Sequence, residues 1–247
     1  MDSNDTLLFV VAAIVTFVIG MSKGGLGGTA GALATPLMVL VLPADEVIGL
    51  ILPVLMVADL FAVALYWGRW NRRLILLLLP GTLIGVTIGT FFITNAPTET
   101  LRRLLGVIVL FFALYKLLER RILSRLTYKS HDWHGLVAGI VTGFSSALAH
   151  TGGPPVSIYL LMQNVTPAVF IATSALFFMI LNWIKVPYYI YADLFDLDRM
   201  RQLIWLLPLV PIGAWTGRWV AFKVNRATYE NIIIVLLIIN SLFLILI

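Results

Sequence analysis

Residues 6–31 read TLLFVVAAIVTFVIGMSKGGLGGTAG, an uncharged apolar run that ends in a serine, a lysine and a cluster of glycines. The run approaches the roughly 20 residues that a helix needs to cross a bilayer. Comparable apolar stretches follow at 74–93, 103–118, 167–184 and 231–247. Hydrophobic residues make up 60% of the 247 residues and charged residues 12%, too few charges to cover a soluble domain. The composition therefore predicts an all-α polytopic membrane protein.

The chain begins MDSNDTLLF, with two aspartates and no basic residue, which does not fit the positive start of a cleaved signal peptide. The absence of cysteine excludes disulfides, thiolate metal sites and cysteine nucleophiles. A net charge of +5 is compatible with nucleic-acid binding, but basic cytoplasmic loops explain it better in a membrane protein. We therefore expect lipid, and no nucleic acid, as a partner.

Two pairs of motifs recur in the same order. GMSKGGLGG at 20–28 resembles GFSSALAHTGGPP at 143–155, and PGTLIGVTIG at 80–89 resembles PLVPIGAWTG at 208–217, where both read Pro-x4-Gly-x3-Gly. The offsets are 123 and 128 residues. Two ordered matches at nearly one offset predict an internal duplication.

The duplication predicts a single transmembrane domain, residues 1–247, made of repeats at about 7–118 and 134–247 and a linker at 119–133. Each repeat contains five apolar pieces, which predicts a bundle of about 8–10 membrane segments. The pieces are 7–21, 25–42, 46–67, 74–93 and 101–118, then 134–149, 153–163, 167–185, 200–222 and 229–247. Glycine or proline interrupts the first two pieces of each repeat, so these either cross fully or form re-entrant hairpins.

Loop charges orient this arrangement. Five-segment repeats place twelve of the seventeen basic residues on the side of the linker and five, including Lys185, on the other. Because basic loops stay in the cytoplasm, the linker is predicted to be cytoplasmic and both termini periplasmic. An odd number of segments inverts the second repeat relative to the first. Inverted repeats are typical of secondary transporters, which bind substrate between the repeats near the middle of the membrane.

The glycine cluster of the first repeat is a candidate anion site. It is not a P-loop, because its lysine precedes the glycines. Close helix packing explains the small-x3-small spacing equally well, and Lys23 can also be an interfacial anchor. A helix start beside an ammonium, however, also binds anions. The substrate-binding candidates here are Ser22, Lys23, Gly24, Gly25, Gly27, Gly28 and Thr29.

The matching stretch of the second repeat supplies a second set of candidates. Pro154 and Pro155 can open a new helix, because the first helical turn does not need their amide protons. A histidine in a membrane helix is either a hydrogen-bonded packing residue or a group that binds an anion or carries a proton. The substrate-binding candidates are Ser145, Ser146, His150, Thr151, Gly152, Gly153 and Pro154.

Two further polar residues, Asp59 and Asn182, fall inside predicted spans at nearly equivalent places in the two repeats. A carboxylate in the membrane is either a proton-coupling group, a partner for Lys23 or one side of an interhelical hydrogen bond. Asp59 and His150 are the proton-coupling candidates. Asn182 is a further substrate-binding candidate.

At these residues the sequence resembles the TauE/SafE family, the so-called sulfite exporters. The resemblance covers essentially the whole chain. Its most specific parts are the stretch Ser22–Gly25 with the glycines that follow it, and the stretch His150–Pro155. It implies an inner-membrane permease of about eight spanning helices that exports sulfite, sulfoacetate or a related organosulfur anion.

The predicted function is a secondary transporter that exports a small anion, such as sulfite or an organosulfonate, across the bacterial cytoplasmic membrane by alternating access. A passive anion channel is the alternative within transport, and an intramembrane enzyme is the alternative from another class. The HExxH metalloprotease motif is absent from the sequence. We expect no catalytic residues, metal or cofactor, and homo-oligomerisation stays open.

Overall fold

The computed structural model describes residues 3–24, 30–123, 131–163, 165–223 and 226–246. Every regular element in these ranges is helical, with 3₁₀ turns at Ala30–Leu33 and Ile204–Leu206. The helices are α1 Ser3–Gly24, α2 Ala34–Met38, α3 Ala44–Leu65, α4 Arg72–Asn95, α5 Thr98–Leu123, α6 Asp132–Ala149, α7 Gly153–Leu161, α8 Pro167–Tyr191, α9 Leu197–Leu203, α10 Leu209–Lys223 and α11 Arg226–Leu246.

Four of these helices meet the length and hydropathy expected of a membrane span. They are α1 from Thr6, α3, α4 and α8. The shortest of these spans has 19 residues, about 28 Å at 1.5 Å per residue, close to the thickness of the hydrocarbon core. Large apolar side chains such as Leu76, Phe91 and Phe111 point away from the protein interior, with 65–74% of their surface exposed. The protein is an all-α polytopic membrane protein, as its composition predicted.

Helices α2 and α7, which lie in the second pieces of the two repeats, are far too short to cross. α2 has five residues and α7 nine, so α7 extends only about 14 Å. Both follow a long helix that ends at a glycine-rich break, α2 after α1 and α7 after α6. α7 begins at Gly153 with Pro154 and Pro155 in its first turn, where the sequence predicts a helix start. The length of α7 favours the re-entrant alternative for the second piece of the second repeat. Residues 25–29 of the corresponding piece in the first repeat lie outside the described residues.

The prediction of one continuous segment over 200–222 is wrong. The chain forms the separate helix α9, a 3₁₀ turn and then α10, which begins at Leu209. The residue at the break is Pro208, which lacks an amide proton and disfavours helical geometry in the residue before it. The matching Pro80 lies inside the continuous helix α4.

The helices of the first half pair with helices of the second half. α4 packs along α6, α1 along α10, α5 along α11 and α3 against α8. The first two pairs approach so closely that glycine is required. A methyl group on Gly85 would overlap the carbonyl oxygen of Ile140, and one on Gly213 would overlap that of Phe17. The Gly-x3-Gly motifs therefore serve helix packing, as small residues do in membranes.

We expect Gly85→Ala to destabilise the protein. Alanine ordinarily favours a helix over glycine by about 1 kcal/mol, but here its methyl group meets backbone, and overpacking costs about 1–3 kcal/mol. Thermal unfolding in detergent should show a lower midpoint than the wild type. Ile84→Ala, at a neighbouring position with 46% of its surface exposed, is the matched control and should change the midpoint little. Equal or greater stability of Gly85→Ala would contradict the close approach of α4 and α6.

Candidate functional site

The last turn of α1 brings Lys23 against Asp59 of α3. Nζ of Lys23 lies 2.5 Å from Oδ1 of Asp59. The Asp59 side chain is fully buried, whereas 23% of the Lys23 side chain is exposed. Nζ also lies 5.3 Å from the ring centroid of Phe178. A carboxylate inside a membrane protein is costly unless it is paired, and Lys23 supplies the opposite charge. Of the roles that the sequence left open for Asp59, the structure shows the partnership with Lys23 and also an interhelical hydrogen bond, described next.

The second carboxylate oxygen of Asp59 accepts a hydrogen bond from Asn182 of α8. Nδ2 of Asn182 lies 2.6 Å from Oδ2, and the asparagine is buried. Both oxygens of the carboxylate are therefore occupied by donors from different helices. Lys23 and the two polar residues that the sequence singled out inside the spans, Asp59 and Asn182, form one contact group across α1, α3 and α8.

A second lysine, Lys185, lies in the core one turn further along α8. Its side chain is completely buried. Nζ lies 2.9 Å from Nδ1 of His150, 3.2 Å from Oγ of Ser146 and 3.4 Å from the Ser146 carbonyl oxygen. In the described part of the chain, no carboxylate lies in ion-pair contact with it. The assignment of Lys185 to a periplasmic loop is therefore wrong, since the residue belongs to the interior of α8.

His150 connects the end of α6 to α3. The residue caps α6 in the left-handed region, with φ of 53°, and its amide donates to the Ser146 carbonyl at 3.1 Å. Nε2 lies 3.0 Å from the carbonyl oxygen of Ile48. Because a carbonyl can only accept, Nε2 carries the proton and Nδ1 is left to accept from Lys185. The non-glycine residue in a left-handed conformation thus places the imidazole between two helices.

One face of α8 contacts the polar groups of α1, α3 and α6. Phe178, Asn182, Lys185 and Tyr189 recur every three or four residues and so share a face. Phe178 contacts Lys23, Asn182 contacts Asp59, and Lys185 contacts the end of α6. The Tyr189 hydroxyl donates to the Ala147 carbonyl at 2.7 Å. We call the group Lys23, Asp59, Asn182, Lys185, His150 and Ser146 the buried polar network.

The network contains two lysines and one aspartate. With both lysines protonated it carries one net positive charge inside an apolar bundle. Desolvated positive charge of this kind fits an anion and does not fit a cation. The described residues contain no group of three His, Cys, Asp or Glu side chains that could hold a metal ion. The arrangement can bind and release a small anion, with hydroxyl and amide groups to orient it.

A family model described as sulfite exporter TauE/SafE matches residues 12–244, nearly the whole chain. The chain belongs to the TauE/SafE family. Comparisons with curated proteins and with solved structures gave no significant match. Family membership makes this chain a membrane transport protein whose substrate is a small anion, as the resemblance implied.

The first TauE/SafE motif places its residues in two environments. Ser22 is buried, and its Oγ has no hydrogen-bond partner among the described residues. A methyl group on Gly24 would overlap the carbonyl oxygen of Ala214, so Gly24 serves packing against α10. Gly20–Gly24 also reads Gly-x-Ser-x-Gly, but Ser22 lies within α1 and not on the strand-to-helix turn that a hydrolase nucleophile needs. The candidates Gly25, Gly27, Gly28 and Thr29 lie outside the described residues.

The second TauE/SafE motif surrounds the end of α6. Ser146 and His150 contact Lys185, as described above. Thr151 is buried, and its Oγ1 has no hydrogen-bond partner among the described residues. A methyl group on Gly152 would lie 2.7 Å from Cγ2 of Thr142, so this glycine packs against α6, whereas one on Gly153 would meet nothing closer than 3.8 Å.

Among the described residues, the side chains of two other candidates of this motif form no hydrogen bond with the network. Ser145 Oγ donates to the Val141 carbonyl of its own helix at 2.8 Å. Pro154 is partly buried in the first turn of α7. The structure thus brings Ser146, His150, Asn182, Asp59 and Lys23 together, and leaves Ser145 and Pro154 beside that group.

A cavity of about 250 Å³ lies beyond the Lys185 end of the network. It is lined by Asp45, Glu46, Asp193, Leu194, Phe195 and Asp196. The Phe195 ring lies 6.1 Å from that of Tyr189, which in turn lies 6.5 Å from the His150 ring. An ion pair between Arg199 and Glu46 joins α9 to α3 at this end. The carboxylates make the cavity a poor anion site, and the contacts of the Tyr189 ring connect Phe195 of its wall to His150.

Proposed function

We propose that this TauE/SafE protein is a secondary transporter that exports a small anion, sulfite or an organosulfonate such as sulfoacetate, across the bacterial cytoplasmic membrane by alternating access. The observation that carries the proposal is the buried polar network. It joins side chains from both halves of the chain at the ends of α1 and α6, where each long helix breaks. A transporter places its substrate at such a junction.

The two halves are inverted repeats in this proposal. Their packing supports the duplication, because Gly213 faces the backbone of Phe17 whereas Gly85 faces that of Ile140, and these two partners are 123 residues apart. Asp59 and Asn182, which are hydrogen-bonded to each other, are also 123 residues apart. Rocking of one repeat against the other then exposes the network to either side of the membrane in turn.

The anion is held in this proposal by Lys185 and Lys23, with hydroxyls that lack other partners. Ser22 in the last turn of α1 and Thr151 just after α6 are buried, and their hydroxyls have no hydrogen-bond partner among the described residues. Buried hydroxyls of this kind are expected to find a partner, and an oxyanion supplies acceptors for both. Packing does not require a glycine at Gly153, the first residue of α7, because a methyl group there would make only an ordinary contact with Phe112 at 3.8 Å.

Flux of labelled anions into purified proteoliposomes tests the proposal. Sulfite and sulfoacetate should enter saturably and compete with each other, and an organic cation of similar size should not enter. Vesicles without protein are the control. Absence of saturable flux for either anion would contradict the proposed function.

The orientation of the repeats can be tested by cysteine labelling, because the chain has no native cysteine. Ser124→Cys lies in the linker predicted to be cytoplasmic, and Leu197→Cys replaces an exposed residue at the start of α9, predicted to be periplasmic. A membrane-impermeant maleimide added to intact spheroplasts should label only the second variant. Labelling of both from the same side would contradict the inverted duplication.

A further inference from the structure

We propose that the anion binds together with a proton, that Lys185 takes up this proton, and that each transport cycle therefore moves one proton with each anion. The inference rests on the proposed function, because it names the coupling ion of the same site. It assigns the coupling step to a residue that neither family motif contains.

The surroundings of Lys185 disfavour a permanent ammonium. The side chain is completely buried, and its three close contacts are a carbonyl, a hydroxyl and an imidazole nitrogen, all of them neutral. An ammonium taken out of water is stabilised well only by an opposite charge in direct contact. The carbonyl at the end of α6 offers only the partial negative charge of a helix end. An anion that arrives at Nζ supplies the missing counter-ion.

The same contacts can hold Lys185 in either protonation state. As an ammonium it has three donors for the three acceptors. As an amine it has two donors and one lone pair, and the Ser146 hydroxyl can turn to donate to that lone pair. The lysine can therefore gain or lose a proton without leaving its neighbours. A group that must titrate within a transport cycle needs this property.

The charged and titratable groups that face Lys185 come from four helices. They are His150 at the end of α6, Asp59 of α3, Lys23 of α1 and Tyr189 on α8 itself. Asp59 is in direct contact with Lys23 and Asn182, so its charge is already shared.

The remaining helices packed against α8 contribute no competing partner from the described residues. The titratable residue of α7 is Tyr159, whose hydroxyl lies beside Gly135 in the first turn of α6. Arg73, in the first turn of α4, pairs with Asp132. The fixed charges of Lys23 and Asp59 cancel, and the site gains its net positive charge only when Lys185 is protonated.

We place the entry of the proton at the carboxylate-lined cavity. Phe195 of the cavity wall contacts the Tyr189 ring, and the Tyr189 ring in turn lies next to that of His150. Ile48, whose carbonyl holds the imidazole, lies two residues from Glu46 at the cavity wall. Carboxylates concentrate protons, and they repel anions. This cavity suits proton exchange with Lys185 once the aromatic side chains move apart.

The step balances in charge and atoms. The amine of Lys185, one proton from solvent and one anion give an ammonium–anion pair, and the same three species separate on the other side. No bond other than N–H forms or breaks. A monoanion then crosses with no net charge, so its flux responds to the pH difference across the membrane and is independent of the membrane potential.

Proton movement during anion flux tests the inference. Isethionate and sulfoacetate are suitable probes, because both stay fully ionised around neutral pH and cannot carry a titrating proton themselves. A pH dye trapped in proteoliposomes should report about one proton per anion for the wild type, and a potassium–valinomycin potential should not change isethionate flux. Lys116→Met, which removes a lysine of α5 outside the network, should behave as the wild type.

Lys185→Arg keeps the positive charge of the side chain but removes its ability to take up and release a proton. Guanidinium stays protonated at every pH used, so this variant should bind anion while the proton signal is lost. Lys185→Met should lose anion binding. Anion flux by the wild type without proton movement, or unchanged proton movement in Lys185→Arg, would overturn the inference and leave the proposed function standing. Absence of any anion flux by the wild type would overturn both.

Discussion

Asp59→Asn is expected to abolish anion transport while leaving anion binding intact or tighter. The carboxylate holds Lys23 with one oxygen and Asn182 with the other. The amide keeps the shape but removes the negative charge, so the network gains one unit of positive charge. At roughly 6 Å and an effective dielectric constant near 20, that charge strengthens anion binding by about 3 kcal/mol, or about a hundredfold. An anion held this tightly is not released, and the cycle stops.

The same substitution should lower the stability of the folded protein. Removing one partner of a buried pair costs about 3–5 kcal/mol, and partial exposure of Lys23 reduces this cost. The double variant Lys23→Met with Asp59→Asn removes both charges and should regain thermal stability without regaining transport. Normal transport by Asp59→Asn, measured as saturable flux in proteoliposomes, would reduce Asp59 to a contact between helices and would also contradict its candidacy as a proton-coupling group.

Lys23→Ala is expected to have the opposite effect on binding. It removes a positive charge and leaves Asp59 to repel the anion, so affinity should fall by about a hundredfold by the same electrostatic reasoning. Lys23→Arg keeps the charge but replaces a compact ammonium with a planar fork, and should change affinity or anion preference without abolishing binding. Isothermal titration with sulfoacetate in detergent measures both variants. Unchanged affinity in Lys23→Ala would make Lys23 an interfacial anchor whose contact with Asp59 is only structural.

Much of the fold follows from the sequence because bilayer thickness limits the choices. Apolar run lengths give the long helices, and the double proline at 154–155 gives the start of α7. The break before α10 does not follow, because Pro208 and Pro80 stand in the same motif but only Pro208 ends a helix. The packing around each proline decides whether the helix continues through it, and this packing cannot be read from the local sequence.

The candidate site was predictable in part. Lys23, Asp59 and Asn182 stand out because charge and amide groups are costly in a membrane, and the structure places them in contact. Lys185 was missed because basic residues near the end of an apolar run are read as loop charges. Its position three residues after Asn182 on the same helix face is the signal that could have revealed it. Its contacts with the end of α6 depend on tertiary packing.

The sequence alone does not distinguish a glycine that serves helix packing from one that serves anion binding. Helix packing and anion binding both call for a residue without a side chain, so Gly24 satisfies both patterns equally in the sequence. Only the neighbouring Ala214 backbone in the folded protein shows that Gly24 serves packing. Packing does not explain Gly153 in this way, because a methyl group there would make only an ordinary contact with Phe112 at 3.8 Å.

Counterflow is the measurement that tests the central claim most directly, because it requires a binding site that faces one side of the membrane at a time. Proteoliposomes loaded with unlabelled sulfoacetate are diluted into a trace of labelled sulfoacetate. The wild type should accumulate label transiently above its external concentration, and Lys185→Met should not. Net flux of the wild type without counterflow would indicate a passive channel, and counterflow that survives in Lys185→Met would show that the buried polar network is not where the anion binds.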